Sequence, residues 1–319
     1  MAERTPLMSA IVPGRNEEWF GRTVEDLLTN LSKDSEVIAV CDASWPDPPL
    51  KDDPRLTVLH FNTPAGQRKA VNLGYRVSRA KYICKLDAHS AIDKDFDVKM
   101  AAPYENGTLG VDVTSIPRMY NLYVYDWECQ TCHRFKTYQG GKPTECPKCK
   151  GTEFDKSVVW SPRKSRRTDF ARFDSELHFQ YWPRYEKRPE TQTDIADVMS
   201  SVGACFFMRR DRFRKLGCLD EGHGSWGQFG TEVSCKSWLS GGRQVVNKTT
   251  WFSHYFRVNK AGFPYPISGN DQERARIYSR KFWRNGEWKL QARPLSWLVQ
   301  KFWPVDGWTD ADLDALPKG

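Results

Sequence analysis

Nowhere in these 319 residues do eighteen apolar residues run together, so the sequence offers no segment fit to cross a bilayer as a helix. The start, Met1-Ala2-Glu3-Arg4-Thr5-Pro6, lacks the apolar stretch of a secretory leader and runs straight into strand-like sequence. Low-complexity tracts and internal repeats are also missing, which excludes flexible linkers and repeat arrays. Acidic side chains are the minority, 40 against 48 Lys and Arg, and the resulting charge of +8 favours acidic partners over basic ones. Nine cysteines are an odd number, and Cys41, Cys84, Cys205, Cys218 and Cys235 are scattered through strand-like or helix-like surroundings. That usage fits a reducing compartment, and the cytoplasm is expected, that of the host if the protein is viral.

What is present is an alternation. Apolar runs at 8–12, 37–40, 56–61 and 82–86 are separated by segments of helical period, which implies a βαβα unit with a parallel sheet. Val24, Leu27, Leu28 and Leu31 mark one helix face, and a second helix is expected over 65–79 with Ala70, Leu73 and Val77 buried. Polar loops follow the strands: Pro13-Gly14-Arg15-Asn16-Glu17-Glu18, Asp42-Ala43-Ser44 and Asp87-Ala88-His89. In an open α/β sheet such loops meet at one crevice beyond the carboxyl ends of the strands. There Asp87 and His89, one residue apart, are a carboxylate and an imidazole able to grip a divalent cation.

The stretches VPGRNEEWFGRTVEDLL, VCDAS, AGQRKAVNLGYRVSRAKYICKLDAHS and WGQFGTEVSCKSWLSGG resemble the nucleotide-sugar half of GT-A glycosyltransferases. The likeness is strongest to the polypeptide N-acetylgalactosaminyltransferases, which use Asp-x-His, and looser to the large family-2 group. The resemblance implies a GT-A, Rossmann-like α/β fold and a nucleotide-sugar donor, a UDP-sugar. It implies that Pro13, Arg15, Asn16 and Glu17 hold the nucleoside, that Asp42 contacts uracil or ribose, and that Arg68 and Asn72 face the donor. Ser253-His254-Tyr255-Phe256-Arg257 resembles the family's Gly-His-Val-Phe-Arg segment, making His254 the third ligand beside Asp87 and His89, with Arg257 and Lys260 on the diphosphate. Asp, His and His suit Mn²⁺ better than Mg²⁺, because imidazole prefers the softer ion.

The likeness breaks at Trp226-Gly227-Gln228-Phe229-Gly230-Thr231-Glu232, where the family has Trp-Gly-Gly-Glu-Asn-Leu-Glu near the acceptor. Trp226 is kept as an acceptor contact, but Phe229 and Gly230 replace the first acid and the asparagine. Glu232 is then the best candidate for a general base. A salt bridge to Lys236, four residues on, is the competing reading. Asp220, Glu221 and His223 upstream are further candidates, and retention without a base stays open.

Cys129-x-x-Cys132, thirteen residues, then Cys146-x-x-Cys149 is the spacing of a four-thiolate zinc site. Such a site is closed and structural, so an inserted zinc ribbon is expected. The chain then divides into a nucleotide-sugar half at 1–122, the ribbon at 123–154, an acceptor half at 155–268 and an extension at 269–319. Leu295, Leu298, Val299 and Phe302 give the extension an amphipathic helix.

After the ribbon come Arg163, Lys164, Arg166 and Arg167, then aromatics from Phe173 to Tyr185. Cations interleaved with flat rings suit phosphates and exposed bases. A basic, zinc-bearing GT-A enzyme resembles the glycosyltransferases that modify hydroxymethylated bases in bacteriophage DNA, which implies hydroxymethylpyrimidine DNA as acceptor. A glycan, lipid-linked sugar or protein acceptor is the alternative enzyme reading. An inert sugar-nucleotide or nucleic-acid binding module is the alternative of another class.

Overall fold

The computed structural model describes residues 5–257, 262–266 and 269–317. In chain order the first half runs β1 (Met8–Gly14), α1 (Phe20–Asn30), β2 (Glu36–Asp42), β3 (Leu56–Phe61), α2 (Gln67–Val77), β4 (Tyr82–Leu86), β5 (Ser90–Ile92) and α3 (Phe96–Glu105). Then follow β6 (Val113–Cys129), β7 (Lys136–Tyr138), β8 (Phe154–Thr168), β9 (Ala171–Phe173), β10 (Phe179–Tyr181), β11 (Ile195–Asp197), β12 (Cys205–Arg209) and α4 (Arg210–Lys215). The chain closes with α5 (Phe229–Leu239), β13 (Arg243–His254), α6 (Gly269–Arg284), α7 (Leu295–Lys301) and α8 (Asp310–Asp314).

The main sheet has the order β11-β13-β6-β12-β4-β1-β2-β3. Its β4-β1-β2-β3 side is parallel, as the alternation of strands and helices implies, whereas β12 runs antiparallel to both β4 and β6 and makes the whole sheet mixed. Strands β1, β2 and β4 are buried throughout, because helices cover both faces. Val24, Leu27 and Leu31 are buried as their period requires. Helix α2 is shorter than expected and turns a different face inward. Ala70, Val71, Gly74 and Tyr75 are buried, Leu73 is half-buried, and Val77 at the last turn is 39% exposed. Gly74 decides this rotation, since it lies where a Cβ would press into Ile11 of β1.

The cysteine segment is the tip of a long hairpin rather than a unit on its own. Strand β6 pairs with β13 and β12 in the sheet and continues past it, with β8 returning alongside from Phe154, opposite Cys129, to Thr168, opposite Met119. The expected boundary at 122/123 therefore falls inside β6. The register places Arg163 nine residues along β8 from the cysteine tip, about 30 Å at 3.3 Å per residue, at the base of the hairpin and over the Tyr138 ring.

The extension packs onto the main body. Trp283, Leu295, Leu298, Val299 and Phe302 are buried in the same cluster as Ile38, Phe206 and Trp238, so α6 and α7 complete the core.

Candidate active site and cysteine cluster

A cleft of about 680 Å³ opens at the carboxyl ends of β1, β2 and β4. One wall carries Pro13, Gly14, Arg15, Glu17 and Asp42, and the floor carries Lys85, Asp87, His89 and His254. The opposite wall is built by His178, Phe179, Trp226, Phe229 and the α6 residues Asp271, Gln272 and Arg276.

The floor is the chemical centre. Asp87 and His89 leave the end of β4, and His254 ends β13, whose last residues pair with β5 so that His254 lies opposite Ser90. His254 Nε2 is 3.0 Å from His89 Nε2 and 3.1 Å from Asp87 Oδ2. The three side chains thus offer one nitrogen, one nitrogen and one oxygen within 4.8 Å of one another. Burial, opposed by the hydrogen bond to Asp87 and reinforced by His89, holds the His254 imidazole down to about 4, so it is neutral and its lone pair is available. Burial also pushes the Asp87 carboxyl up, but Lys85 and then His254 outweigh it and hold Asp87 well below the usual carboxylate range. An ionised carboxylate with two imidazoles at this separation fits a divalent cation. Behind His89, its Nδ1 lies 3.3 Å from Glu17 Oε2, the carboxylate placement that orients a metal-binding imidazole. Burial pushes the Glu17 carboxyl up, yet His89 and Arg257 together hold it below its ordinary value. Arg257 donates to the same Glu17 oxygen at 2.6 Å.

Asp42 accepts the backbone N–H groups of Ala65 at 2.6 Å and Gly66 at 3.0 Å, so it both lines the cleft and shapes the turn that starts α2. That turn needs glycine: Gly66 has φ of 86°, and a Cβ there would lie 2.8 Å from Ser225 Cβ. Arg15 lies over the Tyr265 ring at 5.7 Å. Asn16 is exposed and lies off the cleft lining, its backbone N–H bonded to Ser44 Oγ at 2.7 Å. Trp226 lines the cleft edge-on to Phe263, with ring centroids 5.9 Å apart. Lys260 lies outside the described residues.

Three expectations are corrected. Glu232 is fully buried and away from the cleft. Its carboxylate takes Arg68 Nε at 2.7 Å, Lys236 Nζ at 2.9 Å and the Asp220 N–H at 2.6 Å, so it can neither meet an acceptor hydroxyl nor pick up its proton. Arg68 does not face a donor, because its remaining nitrogens bond the carbonyls of Gly224 and Gly227 and fasten the loop that carries Trp226. Asn72 is likewise internal, bonded to Leu219 O and Glu221 Oε1. Of the other candidate bases, His223 is buried against Tyr278 and Trp283 with Nδ1 3.1 Å from Asp220. The glycine at 230 has a packing cause: a Cβ there would collide with the Ser201 carbonyl, so an asparagine cannot be housed.

Sequence reasoning missed Lys85 and His178. A lysine inside the apolar run 82–86 was the available signal for the first, since it shares a strand face with Asp87. His178 is read in the sequence only as a member of the aromatic stretch that follows the basic residues, with nothing to mark it as part of the cleft. Its Nδ1 lies 3.6 Å from Asp174 Oδ2, and it lines the cleft on the wall facing Pro13 and Asp42.

At the hairpin tip the four thiols converge. Cys129 Sγ is 3.6 Å from Cys149 and 3.7 Å from Cys132, and Cys132 is 3.8 Å from Cys146. These separations exclude disulfides and match the edge of a tetrahedron with Zn–S bonds of about 2.3 Å, which is about 3.8 Å. Phe135 and Phe154 cover the cluster edge to face, and His133 stands exposed beside it against Glu128. Arg163 lies over Tyr138 at 4.6 Å and Arg167 is paired with Glu186. Lys164 and Arg166 are exposed, because the ladder steps from Asn121–Arg163 to Tyr120–Arg167 and leaves 164–166 looped outward. None of the four lines the cleft.

Residues 9–156 match the family described as Glycosyl transferase family 2. Putative polypeptide N-acetylgalactosaminyltransferase 9 of Drosophila melanogaster is 28% identical over 106 residues, covering 32% of this chain and 16% of the relative. Probable N-acetylgalactosaminyltransferase 8 of Caenorhabditis elegans is 34% identical over 76 residues, covering 24% and 18%. The matched part thus spans under a fifth of either relative. A crystal structure of GalNAc-T7 with UDP, GalNAc and Mn²⁺ superposes with a TM-score of 0.61 at 17% identity, over 88% of this chain and 49% of that one. Among the described residues no helix is long and apolar enough to cross a membrane. The chain therefore carries a glycosyl transferase family 2 domain, homologous to the polypeptide N-acetylgalactosaminyltransferases and built on a GT-A-like mixed α/β fold.

Proposed function

We propose that the protein is a metal-dependent glycosyltransferase that moves a sugar from a UDP-sugar to a hydroxyl acceptor. The observation that carries this reading is the convergence of Asp87, His89 and His254 on the floor of a cleft at the strand ends. A divalent ion held there, Mn²⁺ in preference to Mg²⁺, would offset the charge gathering on the departing diphosphate. Pro13, Arg15 and Asp42 would bind the nucleoside at the first two strand ends, and Arg257 with Lys260 would attend the phosphates. Glu17, whose Oε2 lies 3.3 Å from His89 Nδ1, would orient the ring with Nε2 toward the cluster. Trp226 and Phe179 would seat the acceptor, and His178, with Asp174 Oδ2 3.6 Å from its Nδ1, would take a proton on that side.

For the acceptor we favour hydroxymethylated pyrimidines in DNA. Support comes from the outward loop with Lys164 and Arg166 and from the rings of Phe179 and Tyr181, the latter 49% exposed. The four thiols would hold structural Zn²⁺. Free thiols at all nine cysteines support a reducing compartment, the cytoplasm.

The test is a panel of UDP-sugars with Mn²⁺ against DNA with and without hydroxymethylpyrimidines, read by nucleoside mass spectrometry. A glycosylated nucleoside is the expected product. Transfer to glycan or protein alone would displace the DNA acceptor, and absence of both transfer and Mn²⁺-dependent donor hydrolysis would displace the enzyme reading.

A further inference from the structure

Strand β4 is buried along its whole length, yet one of its five residues is a lysine. The Lys85 side chain is 1% exposed, and its ammonium donates to Asp87 Oδ1 at 2.5 Å and to the Gly203 carbonyl at 2.8 Å. It also lies 4.6 Å over the Phe229 ring. Gln67 Nε2 donates to the same Asp87 oxygen at 2.7 Å. One oxygen of Asp87 is therefore bonded by two protein donors, and only Oδ2 is turned to His254. Across the cluster Arg257 does the same to Glu17, the carboxylate behind His89.

Both carboxylates of the cluster are thus matched by cations, and the remaining donors are imidazoles. A dication entering alone meets no net negative charge, and a buried ammonium stands beside its carboxylate ligand. The charge that would draw it in has to come with the ligand, from the diphosphate. We propose that Lys85 is a positioning residue which, with Arg257, makes capture of the divalent ion dependent on the nucleoside diphosphate. This rests on the metal-dependent reading above.

Phe229 belongs to the same device. The resembling segment has an acid at this position, and a carboxylate there would draw Lys85 away from Asp87 and restore negative charge to the floor. The ring instead gives the ammonium a π face and leaves Asp87 as its carboxylate partner. Linkage makes the dependence reciprocal, so the ion must strengthen nucleotide binding by the same factor that the nucleotide strengthens ion binding.

Calorimetric titration of Mn²⁺ with and without UDP tests this on the intact protein, using Lys85→Met, Lys85→Arg and Arg257→Gln. Wild type should bind Mn²⁺ weakly alone, with UDP strengthening binding by about a hundredfold or more. Lys85→Met should bind Mn²⁺ alone at least about tenfold tighter, with a correspondingly smaller effect of UDP, because one opposing charge is gone. Lys85→Arg keeps the charge and should keep the wild-type pattern. Arg257→Gln, on the rim of the cleft, should also tighten binding of the ion alone, and it answers the question if Lys85→Met fails to fold. A folded Lys85→Met, or failing that Arg257→Gln, whose affinity for Mn²⁺ alone is unchanged or weaker overturns the inference. Wild type that binds no Mn²⁺ even with UDP overturns the metal-site reading itself, a separate result.

Discussion

Arg68 and Glu232 meet in the core, 164 residues apart in sequence, with Arg68 Nε donating to Glu232 Oε2 at 2.7 Å and their side chains 1% and 0% exposed. Lys236 and the Asp220 N–H complete the shell of the carboxylate. The pair joins α2 to α5 beneath the loop that carries Trp226, so an acid that sequence offers as a base serves to hold a cleft wall.

Glu232→Gln should therefore act on stability. Removing one partner of a buried ion pair leaves Arg68 and Lys236 uncompensated, at a cost of about 3–5 kcal/mol. The check is the denaturant midpoint, with Mn²⁺ and UDP affinity of the folded fraction close to wild type. Loss of turnover at unchanged stability would return Glu232 to the reaction.

Acid should reveal the same carboxylate. Burial raises it, but Lys236, Arg68 and His223 overcome that and hold it at about 2, against an ordinary 4.5. A depressed acid contributes its stability above the ordinary value and loses it as pH falls toward the folded one. Wild type should then lose about 3 kcal/mol from this group between about pH 4.5 and 2, and Glu232→Gln should lack that component. Unfolding curves at stepped pH decide it, and identical pH dependence in the two proteins would contradict the assignment.

His254→Ala, Asp87→Ala or His89→Ala should each lower turnover by about two orders of magnitude or more while the fold survives. EDTA should abolish activity, and Mn²⁺ should restore it better than Ca²⁺. Full activity in His254→Ala would remove that residue from the cluster.

One zinc per chain is expected by elemental analysis, and Cys146→Ser should lose it together with order at the hairpin tip, since the Cys146 side chain is wholly buried there. The sheet should persist, because β6 is held by β12 and β13. Zinc-free native protein would end this assignment.

The parts of this molecule legible in sequence are those written in short spacings. Each strand of the parallel side, the pair Asp87 and His89, and each Cys-x-x-Cys knuckle is written within a few residues. His254 became legible only through a resemblance of its flanks. Arg68, Asn72 and Glu232 were misread because their residue types suit a donor pocket or a base, and only long-range packing turns them inward. The boundary at 122/123 falls inside a strand because β6, leaving β13 at Asn121, continues across it in pairing with β8, Leu122 opposite Pro162 and Tyr123 opposite Ser161, and local pattern carries no trace of partners about 40 residues away.

If DNA is the acceptor, as proposed, its binding should depend on two of the four clustered cations more than on the others. Arg167 is paired with Glu186 and Arg163 covers the Tyr138 ring, whereas Lys164 and Arg166 protrude with no acidic partner among the described residues. Each phosphate contact contributes about 0.9 to the log–log salt slope, so Lys164→Gln with Arg166→Gln should flatten it by up to about 1.8. Neutralising Arg163 and Arg167 as well should add less than a second step of that size. Because none of the four lines the cleft, Mn²⁺-dependent donor hydrolysis should hardly change. Fluorescence anisotropy across a salt series measures the slope. An unchanged slope in the double variant, with full transfer to DNA, would mean this loop is not where DNA lies, and failure of donor hydrolysis would mean the loop supports the fold instead.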